Sequence, residues 1–357
     1  MTATTEIWNR YVATEARSHD KPGRQFRPRS LTFDAHAHIA VAAAGAFLKP
    51  HLDMDTIPLA RWQTPETRAV NDRQDEDVKV RLFDQDHRIR NLDAMGVDMQ
   101  LVMPTPNQCC YAVSGEVGAE AARLVNDGLR DFVARRPDRF VAFGTVPMQD
   151  AELAVRELDR CVNELGFKGV QILTTLAGRE VSDPSHEPFW KRAEELGATV
   201  FIHPNGFTEG ARFQRFYFNN VIGNPLETTL ALHHLIFDGV LERYPALKIV
   251  AAHGGGFVGG YWGRIDHAWG ARSDCRGDLP NPPSSYLKKV YVDSVVFTPG
   301  QLENLVTLFG ADHVLMGTDD PFDMGEYDPV GHIVGSKLDE AAVEAICGGN
   351  AKRLLNL

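Results

Sequence analysis

The sequence predicts an α/β fold, a (β/α)₈ TIM barrel with an inserted loop region after the first strand. Three observations predict it: eight short apolar segments rich in β-branched residues, helical patterns between most of them, and histidine or aspartate near the ends of four of the eight. The segments are residues 31–39, 99–105, 140–147, 169–174, 199–205, 248–254, 290–296 and 314–322. Helical patterns occupy 88–95, 117–135, 151–165, 187–196, 226–244, 299–308 and 338–354. In the stretch 151–165, Val155, Leu158, Val162 and Leu165 recur at three- and four-residue steps, the apolar stripe of a helix that buries one face. Strands alternating with helices imply a parallel sheet, and eight such units close it into a barrel.

Two stretches interrupt the rhythm. Residues 40–84 carry Pro50, Pro58 and Pro65 among many charges, and are expected to form an inserted loop over the barrel mouth. Residues 273–285, SDCRGDLPNPPSS, are expected to form a second long loop. A length of 357 residues suits one barrel domain over 31–357, with 1–30 as an N-terminal arm.

Composition narrows the function classes. An apolar share of 43% and a charged share of 24% belong to a globular protein with a real core. The formal net charge of −11 argues against a general nucleic-acid or acidic-membrane binder, whose surface shows a basic excess. The first thirty residues mix acids and bases without an apolar core of signal-peptide length, so export is not expected. No apolar stretch approaches the roughly 20 residues that span a bilayer. Cys109, Cys110, Cys161, Cys275 and Cys347 are odd in number and lack CxxC spacing, which points to reduced thiols in the cytoplasm.

The chemistry begins with Asp34-Ala35-His36-Ala37-His38 at the end of the first segment. Side chains two apart on a strand face the same way, so His36 and His38 can converge on one ion. His203 closes the fifth segment, His253 the sixth, and Asp319 lies near the end of the eighth. In a barrel those ends open on the face that carries active sites. Each residue taken singly has a plainer reading, as a hydrogen-bonded core histidine or a helix-capping aspartate. Nitrogen ligands with one carboxylate suit Zn²⁺ or a similar divalent ion, Mn²⁺ included. The fourth segment, GVQILTT, offers no lysine to bridge a second metal, so one ion and no organic cofactor are expected. The run from Gly254 to Gly259 satisfies GxGxxG, but Asp274, twenty residues on, falls in a polar loop, which argues against dinucleotide binding. No GxSxG elbow or GxxxxGK[ST] loop occurs.

From residue 33 to 357 the chain resembles the amidohydrolase superfamily, in the decarboxylase branch typified by aminocarboxymuconate-semialdehyde decarboxylase. The resemblance rests on RFVAFGTVPMQDAELAVRELDRCVNELGFKGVQI from Arg139, FIHP from Phe201, AHGGG from Ala252, GRIDH from Gly263 and GTDDPF from Gly317. It implies His36, His38, His203 and Asp319 as metal ligands, with His253 as the acid/base and Asp319 as a further catalytic group. It implies substrate contacts from Phe322 and from Asn205, which stands where the branch's decarboxylases have tryptophan. It also implies a homodimer in which Arg264, in the loop after the sixth strand beside Phe257, Trp262 and Trp269, reaches the neighbouring site. A second carboxylate-binding arginine of the branch is expected in the inserted loop; gap-free counting lands on Glu76, with Arg73, Lys79 and Arg81 nearby and none of them assigned the role. The reaction implied is non-oxidative loss of CO₂ from an unsaturated or aromatic carboxylic acid. A hydrolase or hydratase of ring-cleavage products on the same site is the alternative, and a non-catalytic binding barrel a third reading.

Overall fold

Residues 28–357 are described by the computed structural model. The predicted arm lies outside the described residues up to position 27, and its end, at Arg29 and Ser30, is tied to the Glu344 carboxylate.

Strand β1 (Phe33–Ile39) pairs in parallel with β2 (Met99–Pro104), and β2 with β3 (Phe140–Ala142). A second arc begins with β4 (Gly144–Thr145) and β5 (Gly169–Leu173). Beyond β5 lies a small antiparallel pair, β6 (Thr175–Leu176) and β7 (Arg179–Glu180), which the hydrophobic pattern does not announce. The arc continues through β8 (Thr199–His203), β9 (Lys248–Ala251), β10 (Tyr291–Asp293) and β11 (Val314–Leu315), all parallel. Phe143, whose N–H donates to Val102 O at 3.1 Å, joins the two arcs. At the other seam Ala35 N–H donates to Met316 O and His38 N–H to Asp320 O, both at 2.8 Å, so the circuit closes. Taken as halves of one strand, β3 and β4 bring the circuit to the predicted eight. Inside it Phe33, Leu101, Phe143, Phe201, Val250 and Leu315 pack on one another, plugged from below by Leu354 and Leu355.

Helices wrap this circuit where the pattern places them, with instructive differences. The stretch 117–135 is the helix Gly115–Arg135, capped by Ser114 and burying Ala121, Ala122, Val125, Leu129 and Phe132 on one face. Glu187–Leu196 has the predicted bounds. The stretch 226–244 divides into Asn224–Phe237 and Val240–Arg243, and 338–354 into Glu340–Glu344 and Asn350–Leu355 with a π turn between. No helix among the described residues is long and apolar enough to cross a membrane.

The insertion is not the expected loop. It folds into Ala42–Leu48, Pro58–Arg61 and a long helix, Pro65–Phe83. Its prolines mislead because Pro58 and Pro65 occupy first helical positions, where the missing N–H costs nothing, and Thr64 caps the long helix by accepting from Thr67 N–H. That helix also lacks an apolar stripe, since only Val78 and Arg81 are buried. The second expected loop, 273–285, likewise contains Ser273–Arg276 and the start of Pro283–Leu287, whose Tyr286 and Leu287 are buried.

The insertion is pinned to the barrel by a buried charge network. Arg88, 1% exposed, pairs with Asp320 Oδ2 at 2.8 Å and donates to Gln100 Oε1 at 2.9 Å and His38 O at 2.5 Å. Arg81 joins the same Asp320 at 3.3 Å and donates to Tyr327 Oη at 3.0 Å. Removing one partner of a buried pair leaves the other charge uncompensated. Arg88→Ala is therefore expected to cost about 3–5 kcal/mol, read as a lower urea midpoint at unchanged slope; a loss below about 1 kcal/mol would show that Arg81 alone holds Asp320.

Candidate metal centre

The four predicted ligands meet at the C-terminal mouth of the barrel. His36 and His38 come from the middle and the end of β1, whose register on β2 shifts between Asp34 and Ala37, an irregularity of the kind that re-aims side chains beside active sites. His203 ends β8, and Asp319 lies four residues beyond β11. One ligand atom from each lies within 4.8 Å of all the others, and every one of the four residues is buried. Asp319 Oδ1 is 3.3 Å from His36 Nε2, 3.2 Å from His38 Nε2 and 3.9 Å from His203 Nε2.

Hydrogen bonding decides which nitrogens are available. The Nδ1 of His36 lies 2.7 Å from Asp293 Oδ2, that of His38 2.9 Å from Pro104 O and that of His203 2.7 Å from Pro204 O. Each of these oxygens only accepts, so each Nδ1 carries the proton and each Nε2 presents a bare lone pair. The three lone pairs converge: His36 Nε2 and His38 Nε2 stand 3.1 Å apart, while His203 Nε2 and Asp319 Oδ1 are buried with no hydrogen-bond partner among the described residues. Acceptors gathered this closely away from water repel one another unless a cation lies among them. The donor set therefore fits the group it was predicted to hold, and His36, His38, His203 and Asp319 form a divalent-metal site.

Electrostatics agrees. Burial alone would raise the Asp319 carboxyl, but the surrounding histidines, His36 foremost, hold it well below the usual carboxylate range, so it stays ionised. Burial above all drives His203 well down and keeps its ring neutral.

Two carboxylates that the sequence reading did not single out build the support. Asp293, at the end of β10, accepts on Oδ2 from His36 Nδ1 and from the His253 backbone N–H at 2.9 Å, and on Oδ1 from Gly254 N–H at 2.9 Å and Val295 N–H at 3.0 Å. Burial opposes its charge, yet the His36 hydrogen bond and nearby charges hold its carboxyl below the ordinary value. Asp34 accepts from His36 N–H at 3.0 Å, Gln100 Nε2 at 2.8 Å and Thr318 Oγ1 at 2.6 Å, with burial pushing its carboxyl up to about 6. Asp293 carries one signal in the sequence, a lone carboxylate closing an apolar run at a strand end; Asp34 adjoins the more conspicuous HxH pair.

His253 is not part of the four-ligand cluster. It follows β9 in left-handed backbone, φ 55°, with its Nε2 3.4 Å from Asp319 Oδ2. Asp319 is left-handed too, φ 59°. Such conformations cost energy in a side-chain-bearing residue and persist where surrounding bonds over-determine them. For His253 those are the two N–H bonds to Asp293, and for Asp319 the 2.7 Å bond from its own N–H to His36 O. Gly317 leaves little room for a side chain, since a Cβ would stand 3.0 Å from His36 Cβ and 3.1 Å from Asp293 Cβ.

A cavity of about 420 Å³ opens over the centre, walled by His203, Asp319, Asn205 and Phe322 and, from the insertion, by Leu59 and Lys79. Phe322 lies against the His38 ring with centroids 5.3 Å apart. Tyr217, also unforeseen, reaches this wall from a left-handed turn. Of the basic residues near 76, Lys79 lines the cavity, Arg81 is engaged by Asp320, and Arg73 is exposed. Arg264 departs from expectation: it sits in mid-helix, within Val258–Ala271, rather than in a loop, and is exposed instead of facing this cavity. Glycines at 259, 260, 263 and 270 mask that helix in the sequence. Its Trp269 packs against the chain's own core, whereas Trp262 stays 42% exposed.

Comparison with known proteins gives a consistent picture. An amidohydrolase family model matches residues 33–357. A 2-amino-3-carboxymuconate-6-semialdehyde decarboxylase of Dictyostelium discoideum is 37% identical over 284 residues, 79% of each chain. The crystal structure of a 5-carboxyvanillate decarboxylase from Sphingomonas paucimobilis superposes with a TM-score of 0.81 at 25% identity, covering 92% of this chain and 99% of that one. A dihydroxybenzoic acid decarboxylase from Polaromonas, solved with manganese and the inhibitor 2-nitroresorcinol, superposes with a TM-score of 0.77 at 25% identity, covering 92% and 97%.

The support shell makes a graded expectation. His36→Ala and Asp319→Ala should abolish tight metal binding, because a four-ligand site loses one ligand. Asp293→Asn keeps the shape but not the charge, and should weaken metal affinity roughly 10- to 100-fold. Competition against a chromophoric chelator reads all three; full affinity in the Asp293 variant would leave that carboxylate a purely structural role.

Proposed function

Because the chain belongs to the amidohydrolase family, we propose that it is a metal-dependent, non-oxidative carboxy-lyase acting on an unsaturated or hydroxylated aromatic carboxylic acid. The observation that carries this reading is His253 Nε2 standing 3.4 Å from the outer oxygen of Asp319, beside the four-ligand cluster but outside it. A proton carrier next to a cation site is what loss of CO₂ needs. The bond from ring or chain carbon to carboxylate breaks, its electron pair stays on carbon, and that carbon takes a proton.

His253 supplies that proton from Nε2, with Asp319 Oδ2 orienting the ring. The ion, when bound, supplies positive charge that orients the substrate's oxygens and stabilises charge developing on them. Its three nitrogens and one carboxylate suit Zn²⁺, and Mn²⁺ is the other candidate, given the manganese-bound relative. Phe322 packs flat substrate against the His38 side of the cavity, and Asn205 offers an amide to a substrate oxygen. This activity belongs to one barrel domain over 31–357, with the arm 1–30 before it. Reduced cysteines favour the cytoplasm.

The assembly proposed is a homodimer with shared sites. Phe257, Tyr261 and Trp262 are 43%, 69% and 42% exposed at the start of the helix that carries Arg264. Apolar rings left in water beside an exposed arginine suit a face buried against a second copy. There Arg264 pairs with the substrate carboxylate in the partner's cavity, a contact lysine would replace poorly.

In ²H₂O the product should carry deuterium at the carbon that lost CO₂, with no solvent oxygen incorporated; solvent oxygen without CO₂ would instead favour a hydratase or hydrolase. His253→Ala should keep its metal yet lose turnover by roughly 10²-fold or more, and parallel loss of metal would make it a ligand. Arg264→Ala should keep metal and fold but lose kcat/KM. Mixing Arg264→Ala with His253→Ala chains under exchange should restore activity, since one site of the mixed dimer regains both groups. If exchange is demonstrated and activity stays absent, the shared-site dimer is wrong.

A further inference from the structure

The cavity over the metal centre adjoins a second one. Pro106, Asn107 and Asn205 line both the metal-centre cavity and a neighbour of about 390 Å³. At the junction Asn205 Nδ2 donates to Asn107 Oδ1 at 3.1 Å, and Asn205 is only 8% exposed. The two cavities therefore share a wall made of an amide pair rather than of packed core.

Their chemistry differs sharply. The metal-centre cavity gathers Asp75, Glu76, Lys79, Asp319 and Asp323. Among the described residues no charged side chain lines its neighbour, whose apolar walls, Leu52, Ile57, Ala112, Val113 and Leu173, are joined by uncharged polar groups such as Thr175 and Thr208. Burial pushes the Cys110 thiol in this wall far up, so it too stays neutral. Two of the wall residues, Cys110 at φ 57° and Ala177 at φ 53°, hold left-handed backbone without being glycine. Strained backbone of that kind clusters at ligand sites. The cavity opens to solvent past Thr56 and Ala112, both exposed.

We propose that this second cavity is a substrate lobe, which receives an uncharged apolar substituent while the substrate's carboxylate lies in the metal-centre lobe, with the Asn107–Asn205 pair at the junction. The inference rests on the carboxy-lyase reading and narrows it to acids with an apolar group at the end remote from the carboxylate. Each methylene buried in such a lobe raises affinity or kcat/KM by roughly fourfold.

The test uses the metal-loaded enzyme and hydroxybenzoic acids that carry hydrogen, methyl, propyl or pentyl at the ring position farthest from the carboxylate. Binding of 2-nitroresorcinol and its alkylated forms is measured in parallel by calorimetry. Both series should climb with chain length. Ala112→Trp and Thr56→Trp, on exposed wall positions away from the metal, should erase the increments while leaving the parent compounds within about twofold. A flat series in the native enzyme overturns the lobe, as does a tryptophan variant that depresses parent and alkylated compounds equally. If none of the acids is decarboxylated but the nitro series still climbs and Ala112→Trp flattens it, the lobe stands and the carboxy-lyase reading falls.

Discussion

The hydrogen bond between His36 Nδ1 and Asp293 Oδ2 couples the two halves of the site. Asp293 ends the seventh strand of the circuit and His36 lies midway along the first, so the bond spans the eighth strand between them. It fixes which His36 nitrogen carries a proton, and so leaves the other bare for the cation. The same carboxylate receives the His253 and Gly254 N–H groups, which holds the tight turn after β9 and with it the position of the acid/base candidate. One side chain thus sets the tautomer of a ligand and the backbone of a residue that is not a ligand.

Beneath this lies a compensation between crowding and charge. Three imidazoles and a carboxylate placed among apolar barrel residues would each prefer water, and a histidine would rather share a proton than present a lone pair to its neighbours. The fold imposes the arrangement by giving every Nδ1 a good acceptor and by clamping His253 and Asp319 in left-handed backbone. A site with such poor internal satisfaction is a sink for positive charge. The surrounding hydrogen bonds tolerate it because a well-packed barrel interior beneath does not move.

The parts legible in the sequence are those where periodicity and chemistry coincide. Strands that feed a barrel show as apolar runs, and residues such as His203 and Asp319 stand out because polar groups at the ends of those runs have few other reasons to be there. Less was visible where local composition conceals structure. The helix Pro65–Phe83 has no apolar stripe because it buries almost nothing, so hydrophobic patterning had nothing to detect. Glycines hid the helix bearing Arg264, whose side chain is accordingly on a rod rather than a loop. Tyr217 enters the cavity through two successive left-handed residues, Phe216 and Tyr217, a geometry that no propensity favours and no spacing reveals. Asp293 belongs to a different class, visible as a residue type but lacking the paired spacing that made His36 and His38 conspicuous.

The near-absence of burial along Pro65–Phe83 separates two requirements that most active sites must satisfy together. Side chains of this helix face the cavity, yet the helix contributes little to the barrel's core, and its Arg81 ties it to Asp320 and Tyr327. Most of its positions can be exchanged without disturbing the strands that carry the cation ligands. A lineage of such proteins can then diversify what it recognises by redrawing one solvent-washed rod, while the machinery underneath stays frozen.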